Sequence, residues 1–263
     1  LAGELNENDK IAIYDYLMKH NKKLFLSTNF ENLVMVNPNI MNFQDESIIE
    51  ISPFKIPASE ALLKRLFDIV VSAIALIVLA PVFIATAIAI KVDSPGPIFY
   101  RQERVTLHQK SFNILKFRSM SATAEKDSGT VLATSNDARV TKVGKFLRQS
   151  RIDEIPQFIN VLKGDMSIVG PRPERPFFVN RFVEQNPYYS LRHHVRAGIT
   201  GYAQVYGKYS TDFNIKLNFD LLYIKNYSLG FDAKLLFQTV GILFDKLSSK
   251  GLDEEFLEPS WRF

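Results

Sequence analysis

Read for its hydrophobic pattern, the chain divides into three unequal parts. In residues 1–57, Ile11, Ile13, Tyr14, Leu17 and Met18 recur at helical spacing and predict a helix over Asp9–His20. Leu24–Leu26 and Ile48–Ile51 are short, mostly apolar runs of strand character. Pro53 and Pro57 mark a linker. The second part, Leu66 to Ile90, reads LFDIVVSAIALIVLAPVFIATAIAI and carries one charge, Asp68. The third is polar and basic. Its pattern predicts strands at Ile98–Arg101 and Phe112–Phe117, and a polar surface loop over Glu125–Asp137. Short helices are predicted at Val143–Gln149 and Pro156–Leu162, and further helices at Arg181–Asn186 and Phe213–Asn226. A last helix, Lys234–Leu247, is amphipathic, with Leu235, Leu236, Val240, Leu243 and Leu247 on one face that packs on the body or lies in an interface plane.

The apolar run is long enough to cross a bilayer, which takes about 20 residues. Pro81 interrupts it near the middle, where a proline removes a backbone donor and kinks a helix. Both flanks are basic: Lys64 and Arg65 before the run, then Lys91, Arg101 and Arg104 after it. Lys and Arg concentrate on the cytoplasmic side of membrane segments, so two basic flanks place both ends on that side. The pattern therefore predicts a re-entrant helix broken at Ala80-Pro81, in preference to a straight span or a buried core helix. Ser94-Pro95-Gly96-Pro97 closes it with an enforced turn.

Composition narrows the choice. Hydrophobic residues make up 46% of the 263, ordinary for a globular protein and too few for a polytopic membrane protein. The formal net charge of +4 suits anionic headgroups and phosphorylated substrates. Nucleic acid is not expected, because no RNP, zinc or helix-turn-helix pattern and no long basic block occurs. Cysteine is absent, which removes disulfides, thiolate metal sites and a cysteine nucleophile. The start at Leu1 is expected to reflect a fragment or processed product.

The candidate chemistry centres on Asp153-Glu154 in RIDEIPQ, just before the helix predicted from Pro156. Adjacent carboxylates point in different directions. One can attack a phosphoryl group or accept a proton while the other holds a hard cation such as Mg²⁺. A helix N-terminus favours Asp and Glu in any case, and the dipeptide alone does not separate these readings. Its neighbourhood does. Arg148 and Arg151 precede it, Lys116 and Arg118 lie in ILKFRSM, and Arg172 stands between two prolines in GPRPERP. Guanidinium forks, lysine charges and a rigid Pro-Arg-Pro loop are what phosphate recognition needs. Lys208 in QVYGKYS is a further candidate, and each base taken alone also reads as a solvated charge. His193-His194 lacks a third ligand at a metal spacing and reads as surface or interface. No GxSxG, Walker A, GxGxxG or HExxH occurs.

From about Lys64 to Leu243 the chain resembles the bacterial sugar transferases, the monotopic polyprenyl-phosphate hexose-1-phosphate transferases. The resemblance rests on KRLFDIVVS at 64–72, VDSPGPIFYRQERV at 92–105, ILKFRSM at 114–120, TKVGKFLRQSRIDEIPQFINVLKGDMSIVGPRP at 141–173 and RAGITGYAQVYG at 196–207. It implies a mixed, helix-rich α/β protein. A Rossmann-like remnant and linker would occupy residues 1–57, a membrane re-entrant helix 58–92, and a cytoplasmic catalytic domain with amphipathic interfacial helices 93–263. It implies transfer of a sugar 1-phosphate from a UDP-sugar to undecaprenyl phosphate at the cytoplasmic face of the bacterial inner membrane, as the first membrane step of exopolysaccharide, capsule or O-antigen assembly. Asp153 becomes the nucleophile and Glu154 a ligand of Mg²⁺. Lys116, Arg148 and Arg172 become phosphate contacts, and a homodimer becomes an expected state. Two positions depart from the family pattern. Ala80 stands where Ser commonly precedes the proline, so the bend must be stabilised without a hydroxyl. Lys208 stands where Arg is common, exchanging a bidentate fork for a point charge. The rival function is a non-catalytic membrane-anchored scaffold.

Overall fold

The structure is a computed structural model. It describes residues 53–121, 139–207 and 211–244, the short pieces 33–36, 39–43 and 46–50, and residues 16, 19 and 20. The strand expected at Leu24–Leu26, the loop at Glu125–Asp137 and Lys208 lie outside these residues, as does most of the helix expected at Asp9–His20.

The apolar run forms two helices, α1 (Ala58–Val78) and α2 (Ala80–Asp93), which meet at Leu79 with a bend of 62°. Among the described residues no single helix is long and apolar enough to cross a membrane. Backbone hydrogen bonds continue through Leu79 on both sides of the bend. The Leu79 amide donates to Ala75 O at 2.9 Å, and the Phe83 amide donates to Leu79 O at 2.8 Å. Pro81 falls in the first turn of α2, where a helix has no acceptor for the donor that proline lacks. The proline thus begins a second helix rather than kinking one. Phe83 fixes the angle from the side, its ring 4.7 Å from that of Phe117 and 5.8 Å from that of Phe99. This packing supplies the stabilisation that Ala80 cannot.

The faces of α1 invert the usual rule for a surface helix. Lys64, Asp68 and Ser72 are four residues apart, share one face, and are buried. Leu62, Leu66, Ile74, Ile77 and Val78 are more than half exposed, as are Ile84, Ile88 and Val92 on α2. Lys64 pairs with the buried Asp232, its Nζ donating to Oδ2. Asp68 accepts from the Ser167 hydroxyl and the Ile168 amide. Arg65 donates to the carbonyls of Val161 and Leu162 at 2.6 and 2.8 Å.

Among the described residues, three two-stranded sheets accompany these helices. β1 (Asn39–Phe43) and β2 (Glu46–Glu50) form a hairpin. β3 (Phe99–Val105) and β4 (Ser111–Phe117) run antiparallel from Phe99↔Phe117 to Val105↔Ser111. β5 (Met166–Val169) and β6 (Ala197–Thr200) run parallel, with Met166 opposite Ala197 and Val169 opposite Thr200. The expected strands at 98–101 and 112–117 thus have partners from Phe99 onward, as does the one at 48–51 up to Glu50, Ile51 lying outside the described residues, whereas the sequence pattern did not disclose β5 and β6. The remaining α-helices among the described residues are α3 (Lys142–Gln149), α4 (Gln157–Lys163), α5 (Pro176–Gln185), α6 (Tyr202–Tyr206), α7 (Phe213–Lys225) and α8 (Leu229–Phe244). The core joins Val161, Ile168, Val169, Leu217, Leu221, Ile224 and Leu235 with Leu33 and Phe54, so packing runs across residue 57. In α8, Leu235 is buried as expected. Val240 is not: it is 45% exposed, and Phe237 near it is 78% exposed.

Candidate active site

The dyad sits on a backbone that the sequence bends sharply. Thr141 caps α3, its Oγ1 accepting from the Gly144 amide at 3.0 Å. The helix ends at Ser150, and Arg151 takes a left-handed conformation with φ 55°. A 3₁₀ turn over Ile152–Glu154 follows directly. With about three residues per turn, successive side chains diverge by roughly a third of a circle. Asp153 points inward and is 9% exposed, while the Glu154 side chain is 15% exposed.

Two basic residues from distant segments converge on Glu154. Lys116, on β4, donates from Nζ to Oε1 at 2.8 Å. Arg172, beyond β5, donates from NH2 to the same Oε1 at 3.5 Å. Burial alone would raise the Glu154 pKa. The Lys116 and Arg172 charges and the Lys116 hydrogen bond outweigh it, and they hold the carboxylate below its ordinary range. Asp153 goes the other way. Burial, reinforced by the adjacent Glu154 charge, pushes it up to about 6 against the through-space attraction of Lys116, Arg148 and Arg172. One carboxylate is tied down by hydrogen bonds; its neighbour is desolvated, and the charges of Lys116, Arg148 and Arg172 only partly offset that. That is the contrast expected of a holder and a nucleophile.

Of the other candidates, Arg148 donates from Nε to the Ser119 hydroxyl at 2.8 Å, one turn before the dyad. Arg151 is exposed at the head of the 3₁₀ turn and helps lower Glu154 through its charge. Arg118 requires a correction. It is 5% exposed, and its guanidinium donates to the carbonyls of Ser94 and Pro95 at 2.7 and 3.0 Å and to the Ser94 hydroxyl at 2.9 Å. Those donors hold the end of α2, so Arg118 acts on the fold rather than on a phosphate. His193 is a second correction. It is 4% exposed beside the Tyr189 ring, not at a surface, because the 3₁₀ segment Pro187–His194 turns it inward. Burial lowers its pKa to about 3 and keeps it neutral.

A metal site built from protein alone does not occur: among the described residues no three His, Cys, Asp or Glu side chains converge. Asp153 and Glu154 are the carboxylates on hand. Lys116 and Arg172 both address Oε1 of Glu154, which leaves Oε2. A pair of carboxylates completed by substrate phosphates and water is the usual donor set of Mg²⁺, so the residues fit that ion.

The loop that carries Arg172 rests on a crossing of bare backbone. A Cβ placed on Gly198 would stand 2.1 Å from the Gly170 nitrogen. The Gly170 amide donates to Thr200 O, and the Gly198 amide donates to Pro171 O, both at 2.9 Å. Sequence reasoning did not find Arg192 and Asp220, and it took Arg104 only as part of a basic flank, not as a contact of this loop. The three lie far apart in the chain, and the signal for Arg192 and Asp220 was limited to charges near apolar residues. A shallow, mostly apolar groove of about 740 Å³ runs elsewhere, between α2 and α3, lined by Ala85, Ile88, Ala89, Val92, Asp93 and Val143.

The family model for bacterial sugar transferases matches residues 59–246. The chain is 48% identical over 183 residues to a UDP-N-acetylgalactosamine-undecaprenyl-phosphate N-acetylgalactosaminephosphotransferase of Aeromonas hydrophila, covering 68% of this chain and 43% of that protein. It is 46% identical to a UDP-glucose:undecaprenyl-phosphate glucose-1-phosphate transferase of Escherichia coli (strain K12), covering 68% and 39% respectively. Against an exopolysaccharide production protein of Rhizobium leguminosarum bv. phaseoli it is 40% identical, covering 69% of this chain and 94% of that protein. The chain thus spans about two fifths of the length of the first two relatives.

Proposed function

This chain belongs to the bacterial sugar transferase family, and from that premise we propose that it transfers a sugar 1-phosphate from a UDP-sugar to undecaprenyl phosphate. The observation that carries the reading is the opposed pair at 153 and 154: Glu154 held by Lys116 and Arg172, and Asp153 buried beside them with a raised pKa. In the first step a carboxylate oxygen of Asp153 attacks the β-phosphorus of the UDP-sugar. The bond from that phosphorus to the oxygen bridging the two phosphates breaks, and UMP leaves with the electron pair. In the second step an oxygen of undecaprenyl phosphate attacks the same phosphorus. The aspartyl–phosphorus bond breaks, and the Asp153 carboxylate is regenerated. Lys116, Arg148 and Arg172 orient the phosphates and offset their charge. Glu154 and Asp153 would hold Mg²⁺, which would further neutralise the diphosphate.

The same reading gives α1 and α2 a task. The apolar part of α1, Leu66–Val78, and the whole of α2 each measure about 20 Å at 1.5 Å per residue, short of the roughly 30 Å of a bilayer core. Exposed apolar side chains cover both arms, and the polar face of α1 is anchored to the body. The bent pair enters one leaflet from the cytoplasmic face of the inner membrane and sets the dyad at headgroup depth, where a lipid phosphate is found. The apolar groove between α2 and α3 supports the same placement.

The test is a UDP-sugar panel assayed for Mg²⁺-dependent UMP release, with acid quenching in the absence of lipid acceptor. The expected product is protein carrying one phosphosugar on Asp153. UMP that appears only with acceptor present, and no adduct, would replace the covalent route with direct transfer. No UMP from any sugar would leave the scaffold reading.

A further inference from the structure

The Pro-Arg-Pro loop is strapped from three sides. The Val105 amide donates to Glu174 O at 3.0 Å, Arg104 donates from NH1 to Pro173 O at 3.2 Å, and Arg192 donates from NH2 to Arg172 O at 2.9 Å. The last strap is unlike the others. Arg192 is 4% exposed, and all three nitrogens of its guanidinium have partners. Oδ2 of Asp220, on α7, lies 2.8 Å from its Nε and 2.7 Å from NH2. Its NH1 donates to the Tyr189 hydroxyl at 2.8 Å. Asp220 is itself 2% exposed.

A buried ion pair is poor value as a source of stability, because desolvation of both charges offsets their attraction. What it supplies is direction. A guanidinium fixed on one edge by a carboxylate and on another by a phenol aims its remaining N–H along one line. Here that line ends on the carbonyl of Arg172, the residue whose own side chain reaches Glu154. We infer that Arg192, held by Asp220 and Tyr189, is a positioning residue that sets the backbone of Arg172 and so aims its guanidinium at Glu154 and the substrate phosphates. The catalytic part of this inference rests on the proposed transferase activity; the structural part does not.

The test reads Arg172 directly. Arg172 is 47% exposed in its side chain and open to phenylglyoxal, whose adducts are mapped by peptide mass spectrometry without any substrate. Arg192→Lys keeps the charge opposite Asp220, but one ammonium cannot serve Asp220, Tyr189 and the Arg172 carbonyl together. Asp220→Asn and Tyr189→Phe loosen the strut more gently, and cover the case in which the lysine variant does not fold. In the full chain, labelling at Arg172 is expected to change severalfold in these variants while labelling at the exposed Arg101 stays constant. Unchanged labelling at Arg172 in the variants that fold overturns the strut. With an active enzyme, Arg192→Lys should lower kcat/KM about tenfold, the loss of one charge-assisted hydrogen bond, and should lower it little further in an Arg172→Ala background. Losses that multiply in the double variant would show that Arg192 acts on the fold alone. Changed labelling together with no UMP from any UDP-sugar leaves the strut standing and removes the proposed activity.

Discussion

Asp68 on α1 accepts two hydrogen bonds from β5, one from the Ser167 hydroxyl and one from the Ile168 amide, each at 3.0 Å. One carboxylate oxygen therefore joins the apolar arm to the strand that leads into the Arg172 loop. Asp68→Ala would leave the Ile168 amide buried without a partner. That costs about 2 to 3 kcal/mol, as expected when a charged acceptor is removed from buried donors. Urea unfolding in detergent should show the loss, and Asp68→Asn, which keeps an acceptor oxygen, should lose less. Equal stability of the alanine variant and wild type would mean that the two elements are joined by packing alone.

Asp153→Asn separates chemistry from stability. Turnover should fall by about a thousandfold or more, since a barrier rise of some 4 kcal/mol is three powers of ten. Stability should move the opposite way. Because burial raises the Asp153 pKa to about 6 in the folded protein, the unfolded chain is ionised more readily. The charged aspartate therefore disfavours folding above about pH 6, and this cost disappears as pH falls below the ordinary carboxylate range. Melting in EDTA should find the Asn variant more stable than wild type at pH 8, with the gap closed near pH 4. A variant less stable at pH 8 would contradict the assignment.

Gly144 tests the seat of α3. A methyl group there would stand 2.0 Å from the Ser119 carbonyl oxygen, a backbone atom that cannot rotate away. Gly144→Ala should push α3 outward, break the Arg148–Ser119 hydrogen bond, and cost about 1 to 3 kcal/mol from overpacking. Activity should fall in step with the loss of Arg148, so Gly144→Ala and Arg148→Ala should be strongly non-additive. Full activity in the glycine variant would show that α3 can shift without harm.

Topology is open to labelling, because these 263 residues contain no cysteine. Single cysteines at Glu60 and Gln109 should both escape a membrane-impermeant maleimide in intact cells and react after lysis. The same result is expected for Pro81→Ala, because Phe83 packing on Phe117 and Phe99 holds the bend. Reaction of either site in intact cells of the Pro81→Ala strain would give that role to the proline ring. Reaction in the parent would establish a span.

The sequence made local features legible. Periodicity located α3, α4 and α7 to within a residue or two, and Pro81 marked the break at Leu79. The dyad was visible as adjacent carboxylates just after Arg148 and Arg151, and Lys116 and Arg172 stood out in their own basic motifs, although nothing local joined them to Glu154. Long-range features were not. β5 and β6 are four residues each, parallel, and separated by a helix and a 3₁₀ segment, so no periodicity announces them. Arg118 and Arg172 look alike in a basic stretch, yet one faces helix-end carbonyls and the other a carboxylate. His193 reads as polar, but its burial depends on the turn at 187–194. Pairing partners decide such cases, and partners lie in three dimensions.

The grip on α2 at both ends makes its length a measuring rod. Phe83 pins one end to β3 and β4, and Arg118 holds the carbonyls of Ser94 and Pro95 at the other. One residue inserted between Thr86 and Val92 would turn everything beyond it by about 100° and advance it by about 1.5 Å. Phe83 and Arg118 could not then both keep their seats. The outward side chains of α2 could be exchanged without disturbing either seat, whereas its residue count could not change.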